Sequence, residues 1–191
     1  MARTSLVVLT LASLLVLTTG CDSLFDSNRP PTGSVPLPSF SVGDTGPAGG
    51  IVIYVDVGND HPWNFLEAWT ADEGVFRWQL TEPFELIGGT GTAIGTGAAN
   101  TALLAGAEHP AAQAARNASH GGFTDWFLPS KDELVMVRAN RAALGAATDD
   151  VYWSSSEHNA TQAHSHIFQN PTGGISGKAN EWRVRVIRSF E

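Results

Sequence analysis

One stretch decides the fold, and it reads Asp125-Trp126-Phe127-Leu128-Pro129-Ser130-Lys131-Asp132-Glu133-Leu134. Three large apolar side chains precede the proline, which disfavours the helical conformation for Leu128 and keeps it extended. Ser130 followed three residues later by Glu133 is the pattern of a capping box, which marks the start of a helix. The stretch therefore predicts a buried extended segment that runs directly into a helix, and Gly145 can end that helix.

Strands are predicted on both sides of this stretch. Residues 51–57, 65–69 and 75–80 precede it, and residues 152–156, 163–168 and 182–187 follow it. A second helix is predicted at 110–116, because Pro110 suits a first helical turn. Residues 87–101 are rich in Gly and Thr and are predicted to form a long loop. Strands, two helices and strands again predict the α+β class.

The composition excludes several classes of function. The chain has 191 residues, a net charge of −8 and one cysteine. A nucleic-acid-binding protein needs a basic face, so nucleic acid is not an expected partner. One cysteine excludes an intramolecular disulfide framework and a cysteine-rich zinc site.

The amino terminus has the pattern of an export signal. Residues 1–20 combine Arg3 with an apolar run too short for a comfortable membrane span. The run ends in Leu17-Thr18-Thr19-Gly20-Cys21, which resembles a bacterial lipobox, although an ordinary signal beside a free cysteine remains the alternative. Lipidated Cys21 would make the membrane a partner through its acyl chains. Residues 21–41 are predicted to be the lipidated cysteine and a Pro/Ser-rich tether, and residues 42–191 the folded domain.

Four segments in the same order resemble the Lcl C-terminal-domain-like family, a domain of unknown function in exported bacterial proteins. They are residues 42–52, 125–134, 152–157 (Tyr-Trp-Ser-Ser-Ser-Glu) and 184–190. The resemblance implies a C-type-lectin-like fold, related to the sulfatase-modifying fold, in which two helices flank small twisted antiparallel sheets. It also implies that the first strand (51–57) pairs with the last (182–188). Phe127 stands where Arg is common in the family, so no role of that Arg is carried over.

An enzyme would need a nucleophile, a metal or an acid–base pair. The sulfatase-modifying relatives are oxidases that use cysteines, and the predicted domain has none, so that chemistry is excluded. Ser154, Ser155 and Ser156 lie near His158 in sequence but without a nucleophile elbow. His164 and His166 point to one face of a strand, and with His158 they are the candidate metal ligands of an alternative, His-based metal-dependent enzyme. An exposed polar strand face is the competing interpretation.

A binding function requires fewer specific residues than catalysis does. Aromatic stacking and polar side chains hold sugars in lectins, and the candidate ligand-binding residues are Trp153, Glu157, Asn159, Arg183 and Arg185. The calcium-dependent lectin triplets are absent, and no cofactor is expected. Arg183, Arg185 and Arg188 are the candidates for a basic patch toward sulfated glycans. Loops 56–63, 84–108 and 157–180 are predicted to carry adaptable polar contacts.

These observations predict a non-enzymatic lipoprotein of the bacterial cell envelope that recognises a glycan or a protein through a C-type-lectin-like domain. Two alternatives remain. One is a structural envelope lipoprotein without a ligand site, and the other is the metal-dependent enzyme.

Overall fold

The computed structural model describes residues 39–146 and 149–191, and this part of the chain contains three helices and eight strands. The strands are β1 (Ile51–Val55), β2 (Phe65–Ala68), β3 (Gly74–Arg77), β4 (Val151–Asn159), β5 (Gln162–Ile167), β6 (Gly174–Gly177), β7 (Glu181–Val184) and β8 (Ile187–Phe190). The helices are α1 (Gly97–Leu103), α2 (Pro110–Asn117) and α3 (Lys131–Ala139).

The strands form two sheets, in the orders β1-β2-β8 and β3-β7-β4-β5-β6. All pairings are antiparallel except a single parallel bridge between Tyr152 of β4 and Arg183 of β7. The α+β class is confirmed. The implied pairing of the first strand with the last is wrong, because β2 lies between β1 and β8 and pairs with both. All four residues of β2 are buried, as the central position in the sheet requires.

The stretch 125–134 joins the two sheets, which explains its influence on the fold. Trp126 and Leu128 pack into one hydrophobic cluster, whereas Phe127 packs into another. This alternation is the side-chain period of an extended chain. Phe127 also exchanges two backbone hydrogen bonds with Ile187 of β8. The predicted capping box is confirmed. The Ser130 hydroxyl accepts a hydrogen bond from the Glu133 backbone N–H, and the Glu133 carboxylate accepts one from the Ser130 backbone N–H.

Four predicted boundaries need correction. Helix α3 ends at Ala139, before the predicted end at Gly145. Residues 87–101 were predicted as a loop, but α1 begins at Gly97, within them. Its small and polar residues lack helical periodicity, and the helix is instead held by Asn100 and Thr101, which bond to residues outside it. Strand β6 lies in the predicted loop 157–180. The predicted strand 182–187 divides into β7 and β8, which belong to different sheets.

Buried Glu67 of β2 organises the glycine-rich turn before β1. Its carboxylate accepts the Ala48 backbone N–H at 3.2 Å and pairs with Arg188 at 2.7 Å. A Cβ at Gly46 would stand 2.3 Å from that carboxylate, so a side chain there would have to displace Glu67 from its bonds to Ala48 and Arg188. The turn therefore has a structural role.

The predicted signal segment 1–20, Cys21 and the tether as far as residue 38 lie outside the described residues. At the end of the predicted tether, Phe40 packs edge-on against Phe65 and Phe190, with ring centroids 5.4 and 5.2 Å apart. No helix in the described part of the chain is long and apolar enough to cross a membrane.

Candidate functional site

Two of the predicted ligand-binding residues, Trp153 and Asn159, have structural roles in the core and in a turn. Trp153 is 0% exposed and donates its indole N–H to the Phe76 carbonyl at 2.8 Å. Asn159 holds the turn between β4 and β5, where its Oδ1 accepts the Thr161 backbone N–H at 2.9 Å. Trp153 therefore belongs to the core and Asn159 stabilises a turn.

Glu157 forms a buried ion pair with Lys178. The Lys178 Nζ lies 2.6 Å from Glu157 Oε1 and also donates to Gln79 and to the Glu85 carbonyl. The same carboxylate accepts the backbone N–H groups of Ile87 and Gly88 at 3.0 and 2.8 Å. The pair therefore fastens residues 85–88 to the larger sheet. Its charges face each other rather than solvent.

The three arginines near the carboxyl terminus are neutralised by carboxylates of the same chain. Arg183 pairs with Asp72 and Asp150, and Arg185 pairs with Asp72. Arg188 pairs with Glu67 and with Asp125, and its hydrogen bonds to the Asp125 carboxylate hold the pKa of Asp125 below its ordinary value. Arg185 is 2% exposed, and its guanidinium also donates to the Trp69 and Leu144 carbonyls. These side chains do not present the free positive charge that a sulfated ligand needs.

The three candidate metal ligands lie on neighbouring strands. The rings of His158 and His164 are 5.2 Å apart, edge to face. His166 is buried two residues further along β5, beside Phe168. Within residues 39–146 and 149–191, no three His, Cys, Asp or Glu side chains are grouped so that they could hold a metal ion.

The serines of residues 154–156 bond mainly to backbone groups. Ser154 Oγ donates to the His164 carbonyl at 2.9 Å, and Ser156 Oγ donates to the Gly91 carbonyl at 2.7 Å. Ser156 Oγ also accepts the Lys131 backbone N–H at 2.9 Å. These bonds hold β4 to β5, to α3 and to the loop before α1, so they explain this motif as part of the fold.

A cavity of about 370 Å³ lies between α3, β5 and the segment before β6. Its apolar wall is formed by Leu134, Val135 and Ile175. Its polar groups include Ser154, Ser165, His164, His166, Lys131, Asp132 and Thr172. A concave, mostly apolar space with a few converging polar groups is the usual form of a small-ligand site. This cavity is the candidate functional site.

His166 contributes an unpaired hydrogen-bond acceptor. Its Nδ1 lies 3.0 Å from the Ile167 carbonyl, and a carbonyl only accepts, so Nδ1 carries the proton. The neutral ring then has a lone pair on Nε2, and Nε2 is buried without a partner. Gly173 lies beside this edge of the ring, where an added Cβ would be 4.0 Å from Nε2. A buried acceptor without a donor is unfavourable and would be satisfied by a ligand that donates.

The charged groups at the cavity face each other. Lys131 Nζ lies 3.6 Å from Asp132 Oδ1, and both side chains are partly exposed. Burial lowers the pKa of His164, and His158 and Lys131 act in the same direction. Burial also lowers the pKa of His166, aided by Arg138 and opposed by the bond to the Ile167 carbonyl. Both imidazoles are therefore neutral near pH 7.

We expect His164 and His166 to titrate below the ordinary imidazole pKa of 6.5. As pH falls through 6.5, the unfolded chain takes up these protons while the folded domain does not, so the free energy of unfolding decreases. Above that pH both states are neutral at these positions and neither residue contributes. An NMR titration of the imidazole carbon-bound protons measures both values. A midpoint at or above 6.5 for either ring would contradict the burial argument.

Sequence reasoning located part of this cavity. The spacing of His164 and His166 correctly put both on one face of a strand. The apolar wall was missed because α3 and β6 meet at β5 only in three dimensions, and β6 itself was predicted as loop. Val135 is half-buried at this cavity.

No family model matches the chain, and no curated protein matches it. Among solved structures, the chain is similar to a fimbrial protein from Bacteroides ovatus ATCC 8483, with 17% sequence identity and a TM-score of 0.55. The match covers 74% of this chain and 44% of that protein's chain, so this chain spans less than half of its length. At this identity the likeness concerns the fold alone.

Proposed function

We propose that this chain is an exported lipoprotein of the bacterial envelope, anchored through Cys21, whose folded domain recognises a ligand without catalysing a reaction. The observation that carries the proposal is the cavity beside β5, where the buried His166 Nε2 has no donor. Burial of an unpaired acceptor lowers stability, so a binding partner gives this arrangement a physical reason.

We assign the domain to the C-type-lectin-like class as part of this proposal. Two antiparallel sheets with helices packed beside them support the assignment. The smaller sheet contains both the first and the last strand, joined through β2, which is consistent with termini that meet in one sheet.

The second candidate is a structural envelope lipoprotein without a ligand site. The observation that favours it is the internal use of the predicted ligand residues Glu157, Arg183 and Arg185, each held by partners in the same chain. A metal-dependent enzyme built on His158, His164 and His166 has less support, because these side chains are not grouped so that they could hold a metal ion within residues 39–146 and 149–191.

A binding screen with a blocked cavity tests recognition. The full chain, extracted from membranes in detergent, is applied to glycan and peptide arrays with calcium and with chelator. Ile175→Trp places a large ring at the cavity wall, at a side chain that is 46% exposed. Val75→Trp is the matched control, because Val75 is 51% exposed on the opposite edge strand.

We expect the first variant to lose the ligand and the control to keep it. Equal binding by both variants would contradict recognition through this cavity and with it the proposed function, and silence of the wild type on both arrays would favour the structural candidate. Cys21→Ala tests the anchor separately, since fractionation should then recover the protein away from the membrane. Retention of that variant in the membrane fraction contradicts lipid anchoring.

A further inference from the structure

We propose that the cavity beside β5 takes an uncharged sugar unit that bears an N-acyl group, with His166 Nε2 accepting a hydrogen bond from the ligand. The inference rests on the proposed function and names the ligand class of the same site. It follows from three properties of the cavity: an acceptor that needs a donor, an apolar wall, and the absence of uncompensated charge on its lining.

The acceptor selects for a donating group on the ligand. His166 is 2% exposed, its Nδ1 proton is committed to the Ile167 carbonyl, and its Nε2 is unpaired. A hydroxyl or an amide N–H satisfies this nitrogen, whereas a carboxylate or a phosphate dianion presents only acceptors. Ser165 shares one hydrogen bond with Ser176 at 2.8 Å, and in either direction of that bond the Ser165 hydroxyl at the cavity keeps a lone pair. The cavity therefore offers a second acceptor, which suits a ligand with more than one donating group.

The cavity lining offers no unpaired charge that could stabilise an ionised ligand. Lys131 is paired with Asp132, and burial keeps His164 and His166 neutral near pH 7. An ion that entered would leave water without gaining an unpaired counter-charge. A free amino sugar carries such a charge, and its N-acylated form does not.

The apolar wall selects for an acyl group. Leu134 is 1% exposed, and Val135 and Ile175 extend the wall toward solvent. A methyl group placed against these side chains removes apolar surface from water, which a plain hydroxylated sugar does not do at that position. The volume of about 370 Å³ lies at the small end of the range for ligand pockets, so it suits one sugar unit rather than a protein surface.

Calorimetry on the detergent-extracted full chain at about pH 7 tests the inference with N-acetylglucosamine, glucose and glucosamine. We expect N-acetylglucosamine to bind most tightly and glucosamine to bind most weakly. His166→Phe removes the acceptor but keeps a ring of similar size beside Phe168, and it should weaken N-acetylglucosamine binding about tenfold. The same variant should unfold at the same temperature or higher, because an unpaired buried nitrogen is gone and the Ile167 carbonyl still accepts from Asn170.

A second variant and a control complete the experiment. His166→Gln restores a side-chain acceptor and should recover part of the affinity, and His158→Gln, at an exposed ring outside the cavity lining, should bind as the wild type does. Unchanged affinity in His166→Phe, or glucosamine binding as tightly as its N-acetyl form, overturns the inference. If none of these sugars binds but Ile175→Trp still abolishes capture of a peptide, the ligand class is wrong and the proposed function stands. If no ligand at all depends on Ile175, both fail.

Discussion

Replacement of Lys178 by methionine is expected to destabilise the domain by about 3–5 kcal/mol, the range for a buried ion pair that loses one partner. The side chains of Lys178 and Glu157 are 0% and 3% exposed. The ammonium group uses its donors on Glu157, Gln79 and the Glu85 carbonyl, and it lies 4.8 Å from the centre of the Trp78 ring. Methionine fills similar space but leaves the Glu157 carboxylate buried without a cation.

Urea denaturation of the wild type and the variant measures this effect. Lys131→Met is the matched control, because Lys131 is 44% exposed in its side chain and its ion pair with Asp132 is at the surface. The control should change the free energy of unfolding by less than about 1 kcal/mol. Equal effects in the two variants would show that the buried pair does not stabilise the domain.

A double variant separates the charge from the packing. Glu157→Gln combined with Lys178→Met removes both charges, so the domain should be more stable than with Lys178→Met alone. The backbone N–H groups of Ile87 and Gly88 now share a single amide oxygen, and for this reason the double variant should remain less stable than the wild type. A double variant no more stable than Lys178→Met would mean that packing, rather than the uncompensated carboxylate, sets the cost.

The parts of the fold that could be predicted are those set by residues close together in the sequence. The capping box at Ser130 and Glu133 and the proline at the start of α2 act within one helical turn, and both helices begin where predicted. Helix α1 has no such signal: its N-cap residue Thr96 makes no side-chain cap bond. Its place depends on Asn100, whose amide reaches Ser155 on a distant strand.

Interactions between residues far apart in the sequence explain why the predicted ligand-binding residues have other roles in the structure. Arg185 was a candidate ligand-binding residue, but its side chain is buried, and Asp72 and two backbone carbonyls bind its guanidinium there. Glu157 was also a candidate ligand-binding residue, and Lys178, which neutralises it, lies 21 residues further along the chain. Ion pairs of this kind leave no pattern in a single sequence. The motif residues therefore serve the fold, and the cavity depends on less distinctive residues of α3, β5 and β6.

Substitution by alanine at the neighbouring glycines Gly121 and Gly122 should lower the stability of the domain by different amounts. Both have positive φ, +59° and +84°, so alanine at either position adopts a left-handed conformation that costs roughly 1–2 kcal/mol. At Gly122 an added Cβ meets nothing within 4 Å. At Gly121 it would stand 2.0 Å from the Ala48 carbonyl oxygen, which belongs to the backbone of the turn that Glu67 holds.

Gly121→Ala must therefore move one of two backbone segments, and a clash of this kind adds about 1–3 kcal/mol to the conformational cost. We expect a loss of about 2–5 kcal/mol for Gly121→Ala and about 1–2 kcal/mol for Gly122→Ala, measured by urea denaturation. Because the displaced carbonyl lies next to the N–H that Glu67 accepts, Gly121→Ala should also shift the amide resonance of Ala48, and Gly122→Ala should not. Similar losses in the two variants would mean that left-handed strain alone explains this pair, and that the close approach of residue 121 to the turn does not limit stability.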